Sequence, residues 1–157
     1  MTDPELYEAD FYAWTKVQAD RLRRLQAERA NLDLDLPHLA EEVEDLGRSE
    51  RNAVLSQLER IIEHCLKLEF STAREPRAGW LESIDDARAQ IAYTLTETLR
   101  GSVADQYERV YGRALRRARK NLHRYGEAPD LPVDCPYALD ALLDDDWYPA
   151  SRHGLTE

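Results

Sequence analysis

Long apolar runs are missing from this chain, and with them the simplest membrane readings. No stretch approaches the roughly 18 apolar residues of a spanning helix. The start, Met1-Thr2-Asp3-Pro4-Glu5, is acidic. It lacks the basic lead and apolar core of a signal peptide, so a cytoplasmic protein is expected. Cysteine is scarce: Cys65 and Cys135 are the only two. Both are expected as reduced thiols, since a redox pair would need these distant positions to meet. Six glycines and one methionine exclude low complexity and a promiscuous Met-rich groove. Strand-length alternation and internal repeats are absent. So are a Gly-rich phosphate loop and a Gly-x-Ser-x-Gly nucleophile turn.

What is present is helix. At 157 residues, with 43% hydrophobic and 33% charged, the chain can bury one core behind charged helical faces. A single helical domain over residues 1–157 is expected. The formal net charge of −10 opposes nonspecific binding of nucleic acid or anionic membrane by the molecule as a whole.

The strongest periodic signal runs from Leu36 to Phe70. Leu39, Val43, Leu46, Val54, Leu58, Ile61, Cys65 and Leu68 recur at spacings of three, four or their multiples. At about 100° per residue they form one face of one helix. Asp35 reads as its cap and Pro37 lies in its first turn. Gly47 allows a kink, or a turn between two helices, but the apolar phase survives across it and favours continuity. Before it, Asp3 as cap and Pro4 in the first turn open a helix reaching about Ala27. After it, a helix from about Trp80 to Arg100 is stopped by Gly101-Ser102, and another spans about Ser102 to Tyr125. Residues Pro136 to Asp144 make a short helix, and Trp147-Tyr148-Pro149 is an aromatic tail expected to pack onto the rest. The expected fold is all-α, four main helices in an antiparallel bundle plus a short C-terminal helix.

Three stretches together resemble a bacterial family known as domain of unknown function 29. They are Tyr7-Glu8-Ala9-Asp10-Phe11-Tyr12-Ala13-Trp14; Leu39 through Glu50 followed by His64-Cys65-Leu66-Lys67; and Cys135-Pro136-Tyr137 with Leu142 through Pro149. They cover nearly the whole chain in order. The resemblance implies an all-helical bacterial domain of unassigned activity and brings no catalytic residues with it.

The residues themselves offer two candidate sites. Glu41, Glu42, Glu44 and Asp45 form an acidic cluster. The helical wheel turns Glu41 and Asp45 to solvent and leaves Glu44 nearer the core edge, four residues before Arg48, a favourable helical ion pair. Glu50 falls within the apolar stripe, so it needs either a basic partner or a polar pocket. Asp10, Trp14, Glu44, Glu50 and His64 are therefore the candidate polar site, expected to converge on one cavity if the protein is an enzyme or binds a small ligand. No metal or other cofactor is expected. Three residues before His38, His64, His123 and His153 stand Asp35, Ile61, Lys120 and Ala150, so the Glu-x-x-His pairs of a di-iron bundle are absent. Glu50 and His64 lie about 21 Å apart along a helix and cannot share a metal directly.

The second candidate is basic. Arg109, Arg113, Arg116, Arg117, Arg119, Lys120 and Arg124 are seven basic residues with no acid between them. They could take phosphates, with Tyr111 or Tyr125 as stacking surfaces. They could equally receive the protein's own acids, such as Asp140 and Asp144 to Asp146, or an acidic partner. With no catalytic constellation and long arginine-rich helices, the expected function is protein–protein association, as a homodimer or adaptor rather than an enzyme. A ligand pocket and nucleic-acid binding through residues 109–124 are the alternatives.

Overall fold

The computed structural model describes residues 1–29 and 31–156. Its described residues form α-helices and no strands: α1 (Asp3–Ala9), α2 (Phe11–Ala27), α3 (Leu36–Phe70), α4 (Arg77–Thr94), α5 (Glu97–Ala104), α6 (Tyr107–Arg124) and α7 (Leu139–Leu143). The all-α expectation holds, but two of the expected helices are each divided. The chain forms two compact units. Unit one comprises Met1–Ala53 and Leu95–Val103, and unit two comprises Val54–Thr94 and Ala104–Glu157.

Both divisions have a local polar cause. The first expected helix is interrupted at Asp10, whose backbone leaves helical geometry (φ −151°) and which caps α2 by accepting the Ala13 N–H on Oδ1 at 2.9 Å. Its start is also one residue earlier than expected. Thr2, not Asp3, is the N-cap, and the Glu5 carboxylate accepts from the Thr2 backbone N–H at 2.6 Å. The third expected helix ends at Thr94, and Thr96 Oγ1 then accepts the Leu99 N–H at 3.3 Å to open α5. Gly101-Ser102 does not stop a helix; it lies inside α5, where Ser102 Oγ accepts from the Tyr12 hydroxyl at 3.0 Å.

The long helix α3 runs 35 residues without interruption through Gly47. Its buried line differs from the expected stripe at the N-terminal end. Leu36, Ala40 and Gly47 face inward there, while Leu39 and Leu46 are exposed. The reason is the close approach of α2. A Cβ built on Gly47 would overlap Thr15 Oγ1 and stand 3.3 Å from Thr15 Cβ and 3.5 Å from the Tyr12 ring. Small residues must face that contact, so the leucines one position earlier rotate outward.

Unit two holds most of the buried residues. Leu58, Ile61, Ile62, Cys65, Leu66 and Leu68 of α3 are buried, as are Ile84, Ala87 and Ile91 of α4. From α6, Val110, Tyr111, Ala114, Leu115, Ala118 and Leu122 supply an apolar stripe at helical spacing. Each fully buried Leu or Ile contributes roughly 1.5–3 kcal/mol. Buried Arg88 ties down the C-terminal segment, donating to the carbonyls of Leu142 at 2.9 Å and Trp147 at 2.7 Å. Tyr148 lies under the same guanidinium, 5.0 Å from its ring centroid, and its hydroxyl bonds Asp85. The aromatic tail therefore packs within unit two.

The two kinds of glycine in helices should respond oppositely to alanine. Gly47→Ala gains about 1 kcal/mol of helix propensity but loses about 1–3 to overpacking, a net loss of up to roughly 2 kcal/mol. Gly112, inside α6 with nothing within 4 Å of its virtual Cβ, should gain up to about 1 kcal/mol as alanine. Urea unfolding of the two variants beside the native chain measures both signs, and Thr15→Ala should restore part of the Gly47→Ala loss.

Candidate functional site

The five residues of the expected polar site are divided between the two units. Asp10, Trp14, Glu44 and Glu50 belong to unit one, and His64 to unit two. Asp10 is occupied as a helix cap. Trp14 stacks on Phe11 at 5.7 Å between centroids and meets Tyr7 edge-on at 4.9 Å. This trio is an apolar anchor for α1 on α2 rather than part of a polar site. Glu44 pairs with Arg23 of α2 at 2.5 Å. Its expected helical partner Arg48 bonds Asp45 instead. Glu41 and Asp45 are exposed, where the wheel put them.

Glu50 is half-buried, and among the described residues no hydrogen bond or ion pair engages it. The inward line passes through Gly47 and Val54, so Glu50 sits at its edge and reaches water. A carboxylate that keeps its hydration needs neither of the expected solutions, a basic partner or a pocket.

His64 is the perturbed group of the five. Its Nδ1 is buried without a hydrogen-bond partner. Burial, helped by the neighbouring Lys67 charge, pushes its pKa down to about 4. The imidazole is neutral at pH 7. The cysteines are not activated either. Burial raises the Cys65 thiol to about 12, and Cys135, whose Sγ lies 3.0 Å from the Tyr107 hydroxyl, is also raised by burial. Both thiols are free. Neither is a poised thiolate. Among the described residues no three His, Cys, Asp or Glu side chains are placed to hold a metal ion.

The basic helix α6 is partly neutralised by the protein's own acids within unit two. Glu59 and Glu63 of α3 receive it. Arg113 Nε meets Glu59 at 3.1 Å, and Arg117 reaches Glu59 at 3.5 Å and Glu63 at 3.1 Å. Glu63 also binds the buried Lys67 at 2.7 Å. The result is an unbroken alternation of charge, Arg113–Glu59–Arg117–Glu63–Lys67. The sequence carries a signal for it: Glu59, Glu63 and Lys67 are spaced four apart along one helix face. Arg109, Arg116, Arg119, Lys120 and Arg124 are exposed. Tyr111 cannot stack on a nucleobase, because it is buried and its hydroxyl donates to the Pro132 carbonyl at 2.5 Å. Tyr125 is exposed.

Lys67 opens onto a cavity of about 750 Å³ within unit two, walled by Trp80, Leu122 and Tyr125, with Asn121 and Glu127 beside them. The lysine Nζ lies 6.0 Å from the Trp80 ring centroid. None of the five expected polar residues lines this cavity. Sequence reading missed it because Lys67 falls inside an apolar helix face, where a buried lysine has no signature of its own.

Comparison with known proteins adds fold but no chemistry. The model of a family described as Domain of unknown function DUF29 matches residues 6–148. A solved α-helical protein of unknown function from Rhodospirillum rubrum ATCC 11170 is 32% identical, with 90% of each chain covered and a TM-score of 0.80. No curated protein matches. No specific biochemical role is indicated by either match.

His64 should remain neutral in an NMR pH titration down to about pH 4. The unfolded chain protonates this histidine near its ordinary value of 6.5, so the unfolded state binds more protons between those values. Stability linked to His64 is therefore complete above about pH 6.5 and is lost as pH falls toward 4. His64→Gln should flatten that part of the stability–pH curve measured by urea unfolding.

Proposed function

The chain belongs to the DUF29 family, and from that premise we propose that it is a bacterial, cytoplasmic association protein that pairs with a second copy of itself rather than acting as an enzyme. The observation that carries this reading is the exposure of Leu39 (39%) and Leu46 (51%), seven residues apart on one face of α3. They have company along the same helical hairpin: Leu25 at the end of α2, and Leu32 and Leu34 in the connection, are also exposed. An apolar surface rimmed by charge is a common mark of a protein interface.

The charge around the leucines favours a second copy as the occupant. The first turns of α3 carry exposed Glu41, Glu42 and Asp45, and the second half of α2 carries exposed Arg21 and Arg24. A two-fold interface sets each patch against its counterpart, so one surface holding both signs can complement itself. The free thiols of Cys65 and Cys135 agree with a reducing compartment. Among the described residues no helix is long and apolar enough to cross a membrane. Nucleic-acid binding through α6 is weakened as an alternative, because Arg113 and Arg117 are already engaged by Glu59 and Glu63 and the net charge is −10.

Light scattering across about 1–100 µM protein, the range of a moderate dimer constant, should show a mass rising to two copies. The paired substitution Leu39→Glu and Leu46→Glu should restore the monomer while moving stability by no more than about 0.5 kcal/mol per site, since both side chains are exposed. A native chain that stays monomeric at the highest concentration would end this reading and leave the same leucines to a different protein, an adaptor role.

A further inference from the structure

We infer that the cavity of unit two is a binding site for a small zwitterion of the amino-acid class bearing an apolar side chain. The inference stands apart from the association reading, which rests on leucines of unit one. The cavity's volume of about 750 Å³ lies within the usual range of small-molecule sites. Trp80, Leu122 and Tyr125 give it apolar walls, and Tyr125 is 76% exposed, an aromatic face without a cover.

A carboxylate belongs at Lys67. The lysine is 3% exposed, and its ammonium has three N–H donors. The structure gives it one hydrogen bond, to Glu63 Oε1 at 2.7 Å. That carboxylate is itself shared with Arg117. Counted along the ladder, Arg113, Arg117 and Lys67 pair directly with Glu59 and Glu63, three cations against two carboxylates. Both arginines reach solvent, whereas the lysine side chain is 4% exposed. The positive charge least relieved by water therefore stands at the cavity, with donors to spare. A buried ammonium in that state favours an incoming anionic oxygen over water.

An ammonium belongs near Glu127. Its Oε1 accepts from the Thr72 N–H at 2.7 Å and the Thr72 hydroxyl at 2.8 Å, and its Oε2 from the Ser71 hydroxyl at 2.6 Å. Burial pushes this carboxyl up, but the Ser71 and Thr72 bonds outweigh it and hold it below the usual range. It is a fixed negative charge on the cavity wall, and Glu75 adds a second carboxylate to the lining. A purely anionic ligand would face these two acids. A purely cationic one would face Lys67. A molecule carrying both charges answers both walls. The side chain of Asn121, on the same lining, has no hydrogen bond among the described residues and offers a donor and an acceptor to the two ends of such a ligand.

The test uses the full chain and three probes of one size: L-phenylalanine, 3-phenylpropanoate, which lacks the ammonium, and 2-phenylethylamine, which lacks the carboxylate. Titration calorimetry should detect L-phenylalanine binding, and the Trp80 indole N–H signal, assigned with Trp80→Phe, should shift in NMR. Each single-charge probe should bind at least about tenfold more weakly. Lys67→Met and Asn121→Leu should each weaken L-phenylalanine by about tenfold or more. If Lys67→Met does not fold, the probe series on the native chain and Asn121→Leu still decide the question. Three results would overturn the inference: no heat and no Trp80 shift with L-phenylalanine at about 10 mM, a single-charge probe that binds as tightly as L-phenylalanine, or a folded Asn121→Leu chain with native affinity.

Discussion

A carboxylate buried on a helix must be neutralised where it stands, and Glu63 sets that requirement for unit two. Its side chain is 10% exposed. Leaving such a group ionised and unpaired would cost several kcal/mol. Lys67, one turn along α3, meets one oxygen, and Arg117 of α6 meets the other. The first contact is local to a helix. The second ties α6 to α3 across 54 residues of sequence. Glu59 repeats the arrangement one turn earlier with Arg113 and Arg117. The apolar stripe of α6 supplies the packing energy, and the ion ladder neutralises the carboxylates that α3 presents beside it. The cavity lies at the end of the same ladder, where Lys67 joins its lining.

Unit one is organised by a different constraint, the lack of a side chain at Gly47. Thr15 occupies the space a Cβ would need, so α2 lies close against α3. That contact turns Ala40 and Gly47 inward and, by the geometry of a helix, turns Leu39 and Leu46 outward. Close packing of α2 and exposure of apolar surface are thus one event. The ion pair of Arg23 with Glu44 adds a polar clamp between the same two helices. A surface that folding leaves apolar is a reasonable place for a second molecule, whereas the residues once grouped as a polar site have structural work: Asp10 caps, Trp14 stacks and Glu44 pairs.

Much of the fold is legible in the sequence. The 35-residue helix from Leu36 to Phe70 follows from apolar periodicity that survives Gly47, and the face of α6 follows from its spacing. The breaks at Asp10 and Thr96 were less legible. A side-chain oxygen that caps a helix must first be released from one, and aspartate or threonine inside a periodic stretch reads equally well as a solvated helical residue. The aromatic tail was expected to pack, but not the means, three main-chain carbonyls gathered by buried Arg88.

The sequence by itself determined helix type, the long α3, the family and the outward turn of Glu41 and Asp45, because each depends on periodicity or on residues near one another in the chain. Only the tertiary structure decided which flank of α3 is buried near Gly47, which acids meet the basic helix, and that Lys67 rather than Glu50 is the charge held from water. Those outcomes depend on neighbours far away in sequence. Thr15 stands against Gly47, and Arg117 is 54 residues from Glu63. A helical wheel gives the direction of a side chain, but its energy is set by what another helix brings to that direction.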